Sequence, residues 1–292
     1  AAAVVASVLA IGYAPASGTA NFASELVHLD PIEYLVRYQL PMAVPTILAM
    51  AAAHVVTQYW FDKREGRGIV ADLSELEQKR EKLEQTPAFY ACLPLLPIAL
   101  LLVFNKFVWG VSMNVATAMF IAWIASFFID LITRRNIKES FDLSFAMFKG
   151  MGSTVGLIFV AAFFAKGLQN IGIVALLMHG ADSIGLGYTG SSVVLSAIVG
   201  VVTVLTGSGV AAFTSLGQLV PAAAQSFGEN GISMMLMMHT ASEMLRAMSP
   251  VAGVIIIVAG FAKVNPLTMV KRTIVPCLTG YVVMLITVSV LF

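Results

Sequence analysis

Long apolar runs separated by short polar intervals dominate the chain. Uninterrupted runs lie near residues 41–61, 88–105, 113–132, 151–168 and 274–292, each close to the ~20 residues an α-helix needs to cross a bilayer core. Three further apolar regions are broken inside. Residues 1–24 are interrupted at Ala14-Pro15-Ala16-Ser17-Gly18, and residues 231–262 at Ser249-Pro250-Val251-Ala252-Gly253. Residues 191–227 are interrupted at Thr206-Gly207-Ser208-Gly209. This third region leaves two arms of about 15 residues, short of two ordinary spans, and predicts a re-entrant helical hairpin that enters and leaves on one side. The long polar segment is Asp62–Thr86, with six basic and seven acidic residues. Charges at helical spacing in Leu73–Leu83 predict a solvated surface helix there.

An internal repeat organises these pieces. A constant shift of 235 maps Pro250 onto Pro15, Gly253 onto Gly18, Pro266 onto Pro31, Arg272 onto Arg37 and Pro276 onto Pro41. The repeated unit reads as half-helix, Pro-x-(Ser/Ala)-Gly break, half-helix, a short amphipathic piece opening at x-Pro, and a span opening with Pro. Residues 1–61 hold the C-terminal part of the first copy, 62–86 the polar linker, and 87–292 the second copy with its scaffold spans and hairpin. The shift places the first copy's hairpin before residue 1. On this reading the first hairpin and any scaffold helices ahead of it are absent, and the chain as given is not expected to transport.

Composition fixes the class. Of 292 residues 59% are apolar and 11% charged, with a mean hydropathy of +0.88, against roughly half and a quarter in soluble domains. That is material for about eight spans, so the fold class is an all-α polytopic membrane protein. The net charge of +1 offers no basic face for nucleic acid. Cys92 and Cys277 both sit in apolar runs, which excludes a disulfide framework and a zinc cluster. The first residues lack the basic start of a signal peptide.

Basic residues orient the spans. With Asp62–Thr86 cytoplasmic and the hairpin not crossing, thirteen of the seventeen fall on one side, including Arg134, Arg135, Lys138, Lys149, Lys263, Lys271 and Arg272. Arg37 and Lys106 fall outside, while Lys166 and Arg246 remain in or near the membrane. The span at 41–61 then runs inward and its partner at 276–292 outward, so the two copies are inverted.

An inverted repeat with broken helices in matching positions points to a secondary transporter. A break frees backbone N–H and C=O groups that lipid cannot satisfy. The half-helix that follows presents free N–H groups and a partial positive charge, which suit an anion. Ser17, Gly18 and Thr19 at the first break, and Ser249 and Gly253 at the second, are candidate substrate-binding residues. Taken singly, Pro15 and Pro250 would read as kinks; their shared offset favours paired breaks. Thr206, Gly207, Ser208 and Gly209 form the candidate hairpin tip, where glycines permit close backbone approach and hydroxyls can meet a carboxylate. A plain turn between short helices is the blander reading.

Arg246 is the arginine inside a predicted membrane segment. A cation at that depth needs a partner or a task. The task would be a bidentate grip on a carboxylate; the partner would be Glu243, three residues back on the same face. Glu243 is also the candidate coupling residue, able to carry a proton. His239, one turn earlier, reads as a hydrogen-bonded helix histidine or as a member of a proton relay. Asp130 reads as an interfacial anchor, Lys166 as a snorkelling lysine, Gly152 and Gly156 as helix packing, and Met234–Met238 as packing or lipid contact. No cofactor or metal is called for.

Rival classes fit less well. A serine intramembrane protease wants G-x-S-G, but Thr206 stands where the first glycine belongs, and an aspartyl one needs two membrane aspartates where Asp130 alone approaches. H-E-x-x-H and P-loop motifs are absent from the sequence. A passive channel predicts pore-lining rings and gives no reason for an inverted repeat.

Thr86–Ile98 (TPAFYACLPLLPI), Leu205–Phe213 (LTGSGVAAF), Met248–Pro276 (MSPVAGVIIIVAGFAKVNPLTMVKRTIVP) and the break APASG at Ala14–Gly18 resemble the DcuC family of anaerobic C4-dicarboxylate carriers, within the wider ion-transporter superfamily. The resemblance implies exchange or efflux of succinate and fumarate across a bacterial inner membrane, by a homodimer. Thr206, Ser208, Ser249 and Arg246 fall on family-like polar positions, whereas Val210 and Glu243 depart from the family pattern. The alternative is another carrier of that superfamily, for a different organic anion or for sodium and protons.

Overall fold

The computed structural model describes residues 17–65, 88–104, 115–134, 185–262 and 264–292, with scattered positions elsewhere. The linker helix at Leu73–Leu83, the span at 151–168 with Gly152, Gly156 and Lys166, and the first break at Pro15 lie outside the described residues. Among the described residues every regular element is helical. Among the described residues five helices are long and apolar enough to cross a membrane: Pro31–Arg64, Ala116–Thr133, Gly187–Thr206, Ile232–Gly260 and Pro266–Leu291. Phe89–Val103 is a shorter apolar helix.

The chain divides into two compact units, residues 69–156 and the remainder. In the smaller unit a 3-10 segment, Ala88–Leu95, leads into a helix at Leu96–Val103, and a 20-residue helix follows at Val115–Arg134. Pro94 and Pro97 cannot donate to a helical ladder, which accounts for the tighter 3-10 entry. Asp130 accepts hydrogen bonds from Tyr90 Oη at 2.9 Å and Ser140 Oγ at 2.7 Å. It is an internal acceptor of this unit rather than a bare interfacial anchor.

The larger unit holds both segments related by the 235-residue shift. We label its helices α1 (Gly18–Leu26), α2 (Leu40–Glu65), α3 (Gly187–Thr206), α4 (Gly209–Leu216), α5 (Val220–Ser226), α6 (Ile232–Leu245), α7 (Gly253–Phe261) and α8 (Pro266–Leu291). α1 and α7 both run nine residues and start 235 positions apart. Their N-caps, Ser17 and Ala252, share an extended backbone, at φ −68°, ψ 134° and φ −65°, ψ 132°. After each comes a capping residue followed by proline at the first helical position, a favoured helix start. Asp30 Oδ1 accepts from Ile32 N and Asn265 Oδ1 from Leu267 N, both at 2.9 Å.

One sequence expectation is corrected here. The amphipathic piece and the span that opens with Pro do not separate, because helix continues through both prolines. α8 runs unbroken from Pro266 past Pro276. In the first copy the turn Pro31–Glu33 passes into a π-helical segment, Tyr34–Gln39, and then straight into α2.

α2 and α8 pack antiparallel in constant register. Tyr38 meets Phe292 with ring centroids 5.3 Å apart, the Cα of Gly280 faces the Met50 side chain, and Gln58 bonds Arg272. The core sits at α6, where all fourteen residues are buried. The methionines Met234–Met238 are therefore packing residues, fully enclosed by neighbouring helices.

Candidate functional site

α6 ends where its sequence stops supporting a helix. A 3-10 turn, Arg246–Met248, is followed by Ser249 in extended conformation, a turn at Pro250-Val251, and extended Ala252. The residue before a proline is pushed out of the helical region and the proline itself donates no N–H, so the break follows from Ser249-Pro250. Freed groups find partners: Ser249 N bonds Arg246 O at 3.1 Å and Ala252 N bonds Ser249 O at 3.2 Å. Thr273 on α8 donates its hydroxyl to Ala247 O at 2.6 Å.

The hairpin is built around this break. α3 runs parallel to α6, with Tyr188 Oη accepting from Met234 N at 3.2 Å and Gly200 facing Leu245. Gly207, at φ 73°, reverses the chain, and its Cα faces Val251 and Ala252 of the break. A Cβ there would stand 2.9 Å from Ala252 N, and the left-handed backbone favours glycine in any case. The chain then returns antiparallel to α6. Gly209 abuts the Ser242 carbonyl so closely that a side chain has no room. Beyond it the Phe213 ring lies 4.9 Å from His239, and Val220 and Ala224 reach Gly231.

The first arm is longer than its apolar pattern suggests. α3 takes in Gly187–Gly190, and Ser192 returns its hydroxyl to Tyr188 O at 2.9 Å. Twenty residues make about 30 Å of helix, so the shortness argument for a re-entrant arm does not hold for α3. The return arm is broken again by a 3-10 turn at Gly217–Leu219.

α1 closes the other side. Phe22 meets Phe213 edge-on at 5.7 Å, and Thr19 lies against Glu243. The hydroxyls of Ser17 and Thr19 are 2.8 Å apart, and Asn21 Nδ2 donates to Ser17 O at 2.9 Å.

At the centre Glu243 is 2% exposed. Arg246 Nη2 stands 3.7 Å from Glu243 Oε2, and the Arg246 side chain is 15% exposed. Among the described residues neither Glu243 oxygen, nor Arg246 Nε, nor Ser249 Oγ has a hydrogen-bond partner. Burying two ions costs several kcal/mol each unless both are well bonded. At 3.7 Å the pair is beyond hydrogen-bond length, so its members face one another with unused bonding capacity.

Most sequence-predicted site residues are brought together: Thr19, Gly207, Gly209, Glu243, Arg246 and the break at Ser249 form one cluster. Gly18 and Gly253 start their half-helices exposed, with open space beside each Cα and no side-chain cap on either helix. The tip hydroxyls differ. Thr206 is exposed, donates to Val202 O at 2.8 Å and accepts from Ser208 N at 3.3 Å. Ser208 Oγ caps α4 by accepting from Ala211 N at 3.2 Å, which leaves its proton to donate. His239 takes the hydrogen-bonded role, with Nδ1 3.2 Å from Gln39 Nε2. Asn21, Gln39 and Thr273 are contributors the sequence did not announce. Their partners lie in elements whose packing no local pattern reveals.

Comparison with known proteins bears on the whole chain. Residues 1–292 match the family described as "DcuC: C4-dicarboxylate anaerobic carrier". A protein of Escherichia coli O6:H1 (strain CFT073), named anaerobic C4-dicarboxylate transporter DcuC, is 34% identical over 98% of this chain and 62% of its own length. Its counterpart of the same name in E. coli K12 is 33% identical over the same shares. A Vibrio cholerae relative is 35% identical over 99% of this chain and 63% of its own. The chain thus spans a little over three fifths of the length of these relatives. No solved structure matches it. The chain is a multi-pass protein of the bacterial inner membrane, and the names it matches are those of transporters, not enzymes. On its full-length match, the chain belongs to the DcuC family.

Proposed function

We propose that this chain belongs to a secondary carrier that moves small dicarboxylates such as succinate and fumarate by alternating access. The observation that carries the reading is that the hairpin tip packs on the second break and on Ser242, and α1 on Glu243, beside the partly buried guanidinium of Arg246. Arg246 holds one substrate carboxylate, the uncapped N-termini of α1 and α7 favour the other negative charge, and Ser208 and Ser249 supply hydroxyls. The names of the relatives support the substrate class.

The inverted arrangement is part of the proposal. Equal α1 and α7, equal caps at Asp30 and Asn265, and an α2–α8 pair in constant antiparallel register are what a pseudo-two-fold axis in the membrane plane produces. The Asp62–Arg272 contact at 2.7 Å puts the end of α2 beside the start of α8, as the positive-inside orientation requires. A second copy of the chain completes the assembly as a homodimer, which native mass spectrometry in detergent would test.

Counterflow measures the activity. Proteoliposomes of the full-length protein, preloaded with succinate, should accelerate uptake of labelled succinate and fumarate. Arg246→Ala should reduce it at least about 100-fold, the loss of a charge-assisted grip worth ~3 kcal/mol. Undiminished counterflow in that variant would remove Arg246 from the site. No flux of either acid would remove the substrate assignment.

A further inference from the structure

The charge balance at this site leads one step further, resting on the carrier reading. Arg246 supplies one positive charge. The N-termini of α1 and α7 each contribute roughly half a positive charge, and the C-termini of α3 and α6, which end at the tip and the break, roughly half a negative charge each. The helix ends thus roughly cancel, and Arg246 is left to offset one carboxylate of a bound dicarboxylate. Ionised Glu243, 2% exposed and 3.7 Å from the same guanidinium, adds a further negative charge that competes for it. An uncompensated charge at membrane depth is expensive.

Among the described residues the surroundings offer Glu243 no other counter-charge. From α1 the facing group is the neutral Thr19, and Arg246 is the charged group that acts on it. α4 and α5 carry no titratable residue. Tyr188 on α3 accepts from Met234 N, Tyr281 on α8 is paired with Ser196, and Arg272 on α8 is held by Asp62 and Gln58. His239 sits one turn earlier with its ring against Phe213 and Tyr34 and its Nδ1 on Gln39.

We propose that Glu243 takes up one proton for each dicarboxylate bound and thereby releases Arg246 to the substrate. Substrate carboxylate and Glu243 compete for one guanidinium. A proton drawn from solution forms an O–H bond on a Glu243 carboxyl oxygen, whose unused bonding capacity accommodates it. The empty-handed guanidinium then turns to the substrate. Glu243 is thus the coupling residue, and its single carboxyl sets the stoichiometry at one.

Calorimetric titration of the purified full-length protein with succinate, in buffers of differing ionisation enthalpy at pH 7.5, reads the protons taken up on binding. Wild type should take up close to one, with succinate affinity weakening about tenfold per pH unit as pH rises. Glu243→Gln should take up none, bind independently of pH, and lose accumulation driven by a pH gradient. Glu243→Asp, which keeps the carboxyl, should retain the proton with a displaced pH midpoint. No proton uptake in wild type overturns the inference, as does uptake undiminished in Glu243→Gln, an unmoved midpoint in Glu243→Asp, or a strict sodium requirement in place of the proton. The wild-type count stands even where Glu243→Gln fails to fold. Succinate binding without a proton defeats this inference alone; no dicarboxylate binding at all defeats the carrier reading beneath it.

Discussion

The half-helix starts at Ser17 and Ala252 match down to their dihedrals, and the caps at Asp30 and Asn265 match in their bonds, yet Pro41 and Pro276 meet one problem in two ways. A proline within a helix donates no hydrogen bond and crowds the carbonyl four residues back. Before Pro41 the helix widens into a π-turn, in which Leu40 N reaches back to Leu35 O, and the crowding of Arg37's carbonyl is relieved from within. At Pro276 the helix stays α, and the freed carbonyl of Arg272 accepts from the Gln58 side chain at 3.2 Å. The arginines differ accordingly. Arg37 is 69% exposed beside Glu33, while Arg272 is 15% exposed and grips Asp62 and Gln58 over the Phe61 ring. Repeated sequence thus fixes where helices begin, whereas neighbours decide how strain inside them is relieved.

The largest effects should come from the space around these starts. Gly18 and Gly253 have open space beside them, and Gly209 has a backbone carbonyl. Gly209→Val should force the hairpin from α6, costing about 3 kcal/mol as overpacking and abolishing counterflow. Gly18→Ala and Gly253→Ala should leave the melting temperature in detergent within a degree or two and weaken succinate binding alike. Unequal losses in those two would break the equivalence of the copies.

Next in size is the arginine pair. Arg272→Ala should destabilise by about 1–2 kcal/mol, the loss of two charge-assisted bonds discounted for the exposure of Asp62. Arg37→Ala should leave thermal unfolding unmoved. A comparable loss from both would mean that the exposed Arg37–Glu33 pair stabilises as much as the more buried Arg272 contacts.

What the sequence showed and what it hid divide along the same line. Pro, Gly and Arg at constant offset revealed both copies because special backbone positions demand special residue types. The i,i+3 spacing of Glu243 and Arg246 put them on one face and the structure keeps them there. Gln58, Thr273 and Gln39 were silent: an amide or hydroxyl that rescues a distant carbonyl or ring nitrogen carries no local pattern. The extent of α3 was misjudged for a related reason. Gly187–Gly190 lie ahead of the apolar region that opens at residue 191 but join the helix, and Ser192 bonds the backbone of Tyr188.

A double-mutant cycle sharpens the proline comparison. Gln58→Leu alone should cost about 1–2 kcal/mol by stranding the Arg272 carbonyl. In a Pro276→Ala background an N–H returns to that carbonyl, so the same substitution should cost less than half as much, a coupling of about 1 kcal/mol. Additive costs would show that Gln58 stabilises through Arg272's side chain alone.

The smallest effect tests the equivalence most strictly. Asp30 and Asn265 each accept from the backbone N–H two residues on, at the same distance and with a proline between. Loss of such a cap costs about 1 kcal/mol. Asp30 also carries a charge that favours the helix N-terminus, worth ~0.3–1 kcal/mol and screened by salt. Asp30→Ala and Asn265→Ala should therefore differ slightly at low salt and converge in 1 M salt, where the Debye length falls to about 3 Å. Melting curves of both variants at the two salt concentrations check this. Convergence would assign the remaining loss to the hydrogen bond the copies share, and a persistent gap would place the difference in the helices that follow, one passing through a π-turn and the other not.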